Sequence, residues 1–261
     1  MRALSIAATG MLAQQLNVEV ISNNIANMNT TAHKRQRAEF QDLLYQNIER
    51  VGANSSDDGT ISPSGIQIGI GVKAGSVYRI GGQGDLVQTE NPLDVAIQGK
   101  GLFHVLLPNG DDAYTRAGSF QLGPDGQIVT NDGFTVSPSI TIPQEAKTVT
   151  VNSDGEVQIS IDGQADAQTV GQLELATFFN NAGLEAIGGN LFLETAASGP
   201  ANIGIAGTPG FGNLIAGFLE TSNVNPVQEI TSLITAQRAY EMNSRVIVTA
   251  DEMMQAATNL R

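Results

Sequence analysis

Residues 225–261 read NPVQEITSLITAQRAYEMNSRVIVTADEMMQAATNLR, and apolar side chains recur through them every seven positions. Leu233, Tyr240, Ile247 and Met254 form one row. Ala239, Val246, Met253 and Leu260 run beside it, with Ala236, Ala250 and Ala257 on the other flank. The opening residues carry the same pattern: Leu4, Met11, Val18 and Ile25 in strict register, with Ala7, Ile21 and Met28 alongside. That period belongs to a helix that buries a narrow seam against another helix. Asn225 is placed to cap the last helix, Pro226 suits its first position, and Gln228 stands where a capping-box partner belongs. The spacing predicts one helix from residue 1 to about 29 and another to Arg261, about 40 and about 54 Å long at 1.5 Å per residue.

Between these ends the texture changes. The polar run SNNIANMNTT (22–31) favours a helix stop, because Asn and Thr side chains compete for backbone hydrogen bonds. QRAEFQDLLYQNIER (36–50) reads as a second short amphipathic helix or an extended arm, and Gly, Ser, Asp and Pro then dominate a long loop to about residue 75. Asn109-Gly110, Asp125-Gly126, Asp132-Gly133, Asp154-Gly155 and Asp162-Gly163 are suited to type I′ hairpin turns between strand-like runs. The fold class is therefore α+β: long N- and C-terminal helices forming a coiled-coil-like stalk, with an inserted antiparallel β-rich domain. The expected divisions are an inner helix over 1–35, an arm and extended loop over 36–84, a β-rich domain over 85–197, a Gly-rich return connector over 198–224, and the last helix over 225–261.

Charge supports an assembling protein with an acidic exterior. Of a formal net charge of −13, most resides in residues 101–220, which hold 13 Asp and Glu against only Arg116 and Lys147. The terminal segments are nearly neutral. Nucleic-acid binding needs a basic surface, and the cluster Lys34, Arg35, Arg37 is too small to supply one. No stretch approaches 18 apolar residues, so no membrane insertion is expected. The start, MRALSIAATGMLA, is interrupted by Ser5, Thr9 and Gly10, and the heptad row runs on to Ile25, which argues against a cleaved signal peptide. No Cys is present, which removes thiolate catalysis and zinc–sulfur sites. His33 and His104 lack ligand spacing, and nucleophile elbows, phosphate-binding loops and calcium loops are missing. No catalytic residue, cofactor or metal is expected, and the chain does not read as an enzyme.

The terminal stripes point to a homo-polymer. The ends are expected to be loose in the monomer and to become helical on packing with neighbouring subunits; the alternative is a monomer whose two helices pair with each other. Within the seam the expected contact residues are Leu4, Met11, Val18, Ile21, Ile25, Leu233, Tyr240, Val246, Ile247, Met253, Met254 and Leu260.

SNNIANMNTT followed by KRQR (34–37) resembles the N-terminal signature of the bacterial flagellar axial proteins of rod and hook. ETSNVNPVQE (220–229) and AQRAYEMNSRVI (236–247) resemble their C-terminal signature, with motif residues Asn23, Asn24, Asn27, Gln237, Arg238, Tyr240, Glu241 and Asn243. DVAIQGKGLFHV (94–105), AYTRAGSF (113–120) and DGQIVTNDGF (125–134) agree as well. The length, with EFQDLLYQ (39–46) and PSGIQIGIGV (63–72), points within the family to the distal rod rather than the proximal rod or the longer hook. The resemblance implies a structural subunit of a helical, hollow drive shaft that transmits torque from motor to hook. Terminal helices would line the inner wall and the β domain would face outward. It implies proximal rod proteins and hook protein at the two ends, surrounding basal-body ring proteins, a path across the periplasm towards the outer membrane, and type III export without a cleaved signal. One departure is Ala32-His33 in place of the usual Gly-aromatic pair, and loss of the glycine disfavours a positive-φ turn there. Asn23, Asn24, Asn27 and Asn243 are candidates to fix register in the stalk, as buried Asn does in coiled coils, or else helix-stop and surface amides. From a different class, a β-rich extracellular glycan-binding module would need an aromatic platform, for which Tyr78, Tyr114 and scattered Phe are available.

Overall fold

The computed structural model describes residues 2–49, 64–161 and 167–259. Leu260 of the expected seam and the expected Asp162-Gly163 turn lie outside the described residues, as do residues 52–63 of the expected 52–75 loop. The chain divides into two compact units: Met1–Ala26, Gln36–Arg79 and Asn225–Arg261 form the first, Asn27–Arg35 and Ile80–Val224 the second.

The first unit contains α1 (Arg2–Ala26), β1 (Gln36–Asp42), β2 (Tyr45–Glu49), β3 (Ile66–Gly69), β4 (Val72–Arg79) and α2 (Pro226–Asn259). Helix α2 starts as its sequence dictates: the Asn225 side-chain oxygen accepts from the amides of Val227 (3.1 Å) and Gln228 (3.3 Å), satisfying donors that no helical carbonyl reaches. Both helices are formed in the single chain and lie against each other, where ordering only on packing with neighbours was expected. Their most buried apolar residues are Ala7, Ala13, Val20 and Ile21 on α1, and Ala236 and Ala250 on α2. Four of these, Ala7, Ala13, Ala236 and Ala250, are small, and small contact residues let two helix axes approach closely.

The segment after residue 36 is β-structure, not a second helix. Ala38 and Phe40 turn inward while Arg37, Glu39 and Gln41 turn out, a two-residue period that pairs β1 antiparallel with β4, while β2 pairs with β3. Leu44 and Ile48, which completed the helical reading, are exposed.

The second unit carries β5 (Leu86–Gln88), β6 (Val95–Gln98), β7 (Leu102–Leu106), β8 (Asp112–Thr115), β9 (Gln121–Leu122), β10 (Ile128–Val129), β11 (Thr135–Val136) and β12 (Ala146–Val151). It continues with β13 (Glu156–Ile161), β14 (Gln168–Gln172), β15 (Glu174–Thr177), β16 (Glu185–Gly188), β17 (Leu191–Leu193), β18 (Asn202–Ile205), β19 (Asn213–Ala216) and β20 (Phe218–Glu220). Every pairing is antiparallel among the described residues, and the largest sheet is built around β7, which pairs with β8, β11 and β15. The expected connector over 198–224 thus contributes three strands. The core gathers Val95, Ile97, Phe103, Phe120, Val157, Ile159 and Leu175, with Phe103 and Phe120 in edge-to-face contact at 4.9 Å.

Four of the expected turns do join consecutive strands, but their type differs. At Asn109-Gly110, Asp125-Gly126, Asp132-Gly133 and Asp154-Gly155 only the glycine has positive φ. Its amide bonds the carbonyl three residues back in each case. A type I′ turn needs positive φ at both central residues; here a type I turn is followed by a glycine bulge. Pro108 and Pro124 favour that choice at two of the turns, by fixing φ where a type I turn needs it.

Candidate assembly surface

In the first unit the two helices are keyed by polar contacts as well as apolar ones. A Cβ added at Gly10 would stand 2.9 Å from the Asn243 side-chain nitrogen, so the glycine that weakens α1 as a helix makes room for an amide of α2. Asn24 is 1% exposed and makes three hydrogen bonds to other elements. Its Oδ1 accepts from the Gln36 amide (2.8 Å). Its Nδ2 donates to the Gln36 carbonyl (2.8 Å) and to Glu229 Oε2 (3.1 Å). One side chain therefore ties the end of α1 to the start of β1 and to the first turn of α2. Glu229 is equally buried, and its negative charge near a helix N-terminus is favourably placed. Further along α1, Thr9 Oγ1 bonds the Ile6 carbonyl and accepts from the Val72 amide. Gly71, at φ 137°, supplies the close approach there.

The expected seam residues divide into two groups. Leu4, Met11, Val18 and Ile25 are half-buried and Ile21 is buried on α1; Leu233, Ile247 and Met254 are half-buried on α2. Tyr240, Val246 and Met253 are exposed, at 44%, 45% and 66%. Of the motif residues, Asn24 is buried, Asn27 and Asn243 are half-buried, and Asn23, Gln237, Arg238 and Glu241 are exposed. A row missed in the sequence lies almost opposite Ala236 and Ala250: Val227, Ile234 and Val248, seven or fourteen residues apart and all exposed. The signal was the same period, one heptad phase away, masked because Glu241 fills the third place.

The second unit hides an ion cluster. Glu220, 2% exposed, accepts from Arg116 Nε (2.7 Å) and from the Gly84 amide (3.0 Å), and pairs closely with Lys34. Arg116 also donates to the carbonyls of Gly101 (2.6 Å) and Ile97 (2.7 Å), and Lys34 to that of Gly82 (2.9 Å). Burial alone would raise the Glu220 carboxyl; the Arg116 charge and the bonds from Lys34, Gly84 and Arg116 outweigh it and hold the group below its usual range. Burial pushes the Lys34 ammonium down, and Glu220 offsets part of that. The sequence signal was available. Arg116 is one of only two cations in a 120-residue acidic stretch, and Lys34 and Glu220 both sit in the motifs quoted above.

The backbone beside this cluster accommodates the departure at Ala32. The turn keeps positive φ (58°) without glycine, correcting the expectation. The Ala32 amide donates to the Glu220 carbonyl (2.8 Å), the His33 amide to Thr30, and the Asn223 amide to His33, so hydrogen bonds within the unit outweigh the ~1 kcal/mol cost of a left-handed alanine.

Among the described residues no helix is long and apolar enough to cross a membrane, and no three metal-ligating side chains cluster. Tyr114, needed for an aromatic platform, is buried between His104 and Phe178, and burial pushes its hydroxyl up to about 12.

Known proteins match all three regions. The family model described as flagella basal body rod protein matches residues 4–34, the flagellar hook protein FlgE/F/G D1 domain residues 96–159, and the flagellar basal body rod FlgEFG protein C-terminal residues 215–260. The flagellar basal-body rod protein FlgG of Caulobacter vibrioides is 64% identical over 261 residues, all of both chains. That of Agrobacterium fabrum is 52% identical over 97% of each chain. That of Bacillus subtilis is 39% identical over all of this chain and 99% of its own. Paired terminal helices around an inserted antiparallel β region, with this likeness, define a structural protein of the flagellar axis. Within that class the chain belongs to the flagellar basal-body rod protein family.

Proposed function

We propose that the chain is a distal-rod subunit that polymerises helically, through its terminal helices, into a rigid hollow shaft carrying torque from motor to hook. The observation that carries this reading is the apolar surface left over once α1 and α2 have paired. Val227, Ile234, Val248, Val246, Met253 and, on α1, Leu12 remain exposed, in an arrangement that a further helix from a second subunit would bury. One face of each helix is thus used inside the chain, and a second is free for neighbours. Proximal rod proteins and hook protein would meet the two ends of the polymer, and basal-body ring proteins would surround it where it crosses the periplasm towards the outer membrane. The acidic β-rich unit suits an outward position, since like charge discourages adhesion to a surrounding sleeve. Electron microscopy of the concentrated full-length protein tests the reading. Filaments are expected, and they should be lost on Ile234→Asp or Val248→Asp while the circular-dichroism spectrum is retained. Protein that stays monomeric at high concentration, with these variants still supporting motility, would overturn it.

A further inference from the structure

Two features of the β-rich unit play no part in the helical stripes. Phe179 follows the buried Phe178 just past β15 and is fully exposed (104%), more than any other large apolar side chain among the described residues. An open notch of about 440 Å³ is walled by Gly99, Lys100, Gly210, Phe211, Gly212 and Asn213. The β15–β18 ladder separates them. Thr177 pairs with Asn202 and Glu174 with Ile205, so Phe179 leaves the ladder at one end while the loop bearing Gly210, Phe211 and Gly212 leaves it at the other. Phe179 therefore does not fill the notch of its own chain.

We propose that Phe179 of one subunit inserts into the Lys100–Phe211 notch of a second copy, adding a head-to-tail contact between β-rich units; this rests on the polymer reading above. The argument is complementarity. Gly99 and Gly210 carry no side chain, and a Cβ at Gly210 would meet nothing within 4 Å, so the notch is open to an entering ring. It offers the Phe211 ring and the Lys100 ammonium, partners for edge-to-face and cation–π contact. Charge agrees. Lys100 forms no ion pair among the described residues, whereas exposed Glu194 lies at the Phe179 end: its Oε2 accepts from Ala201 (3.0 Å), beside Asn202, and Asn180 donates to Ala197 (3.0 Å) in the same segment. A protruding apolar residue that matches a pocket elsewhere on the same molecule makes a heterologous contact, which propagates rather than closes.

The chain has no Cys, which makes the test direct. Full-length Asn181→Cys and Asn213→Cys proteins, mixed, polymerised and treated with a short bis-maleimide, should give a cross-linked dimer containing one of each. Adding Phe179→Ala to the Asn181→Cys chain should lower its yield by roughly tenfold or more, the loss expected from one exposed aromatic contact. Its circular-dichroism spectrum should not change. Polymers that form without the cross-link, or a cross-link indifferent to Phe179→Ala, overturn the knob and notch while leaving the helical polymer intact. Failure of the unmodified protein to polymerise removes the reading on which the contact rests, and the contact with it.

Discussion

Asn23 and Asn24 are adjacent and chemically identical, yet they should respond very differently to the same change. Asn24→Ala removes three hydrogen bonds at once: two to the backbone of Gln36 and one to Glu229, whose side chain is 1% exposed. The Gln36 groups are only part-buried, so each loss costs about 1 kcal/mol; the bond to a buried carboxylate is worth about 1.5–3 kcal/mol. The sum is roughly 3–5 kcal/mol, a large share of the stability of a domain of ordinary size. Asn23 is exposed, so its polar groups can exchange a protein partner for water, and Asn23→Ala should cost clearly less than Asn24→Ala. Asn24→Asp keeps the shape but sets a second carboxylate about 3 Å from the first, so it should be at least as damaging as alanine at neutral pH and should recover partly on acidification. Urea titration followed at the helical circular-dichroism band gives the comparison, with a midpoint for Asn24→Ala lower by about 1 M or more. Equal midpoints for the Asn23 and Asn24 alanine variants would refute the clamp, as would an Asn24→Ala cost below about 1 kcal/mol.

Tyr240→Ala, at an exposed position, should leave α1 and α2 paired and impair polymerisation and swimming, whereas Ile247→Asp, at a half-buried position, should also lower the thermal midpoint; equal midpoints would contradict the two-sided reading of α2. Glu220 is held below its usual carboxylate range, so its contribution to stability is fully present above the unfolded value of about 4.3 and is lost as pH falls through the folded value. Glu220→Gln should remove that acid dependence and cost about 3–5 kcal/mol at neutral pH by leaving Arg116 and Lys34 buried without their counter-charge, measured by urea unfolding at several pH values. Gly71→Ala should destabilise by roughly 2 kcal/mol or more, because its φ is left to glycine and a Cβ would stand 2.2 Å from Thr9 Oγ1; a neutral result in thermal unfolding would show that β4 shifts freely away from α1.

The parts of this fold that sequence made legible are those governed by a single repeating constraint. The seven-residue period located both helices, and Asn225-Pro226 marked the start of α2 because capping is local chemistry. The Asn/Asp-Gly pairs located four hairpin turns because glycine adopts the required positive φ at least steric cost. Their type is not carried by the pair itself, because the choice between type I′ and a type I turn with a bulge depends on the positions before it, where Pro108 and Pro124 stand at two of the turns. Residues 36–49 were ambiguous for a related reason. Phe40, Leu43, Leu44 and Ile48 fit a helical face, and only pairing with β4, some 35 residues away in sequence, selects the two-residue alternation of Ala38 and Phe40.

What remained hidden depends on partners distant in sequence. Lys34, Arg116 and Glu220 span 186 residues, and no local pattern relates them. Yet their environment could have been inferred, because a lone arginine in an acidic stretch is the expected counter-ion of a buried carboxylate. Backbone bonds between distant segments decide Ala32. A rule that ranks glycine above alanine at positive φ describes the isolated backbone; here the Ala32 amide is committed to the Glu220 carbonyl, and the neighbouring amides are committed to Thr30 and His33. Releasing the turn to a better φ would break those bonds, so the conformation survives the loss of its usual residue. By the same reasoning Gly10, which weakens α1 when judged as a helix residue, belongs there once Asn243 is seen to need the space. Residues that contradict local propensity in this chain therefore sit where one element meets another, and each contradiction identifies a contact that the local rule omits.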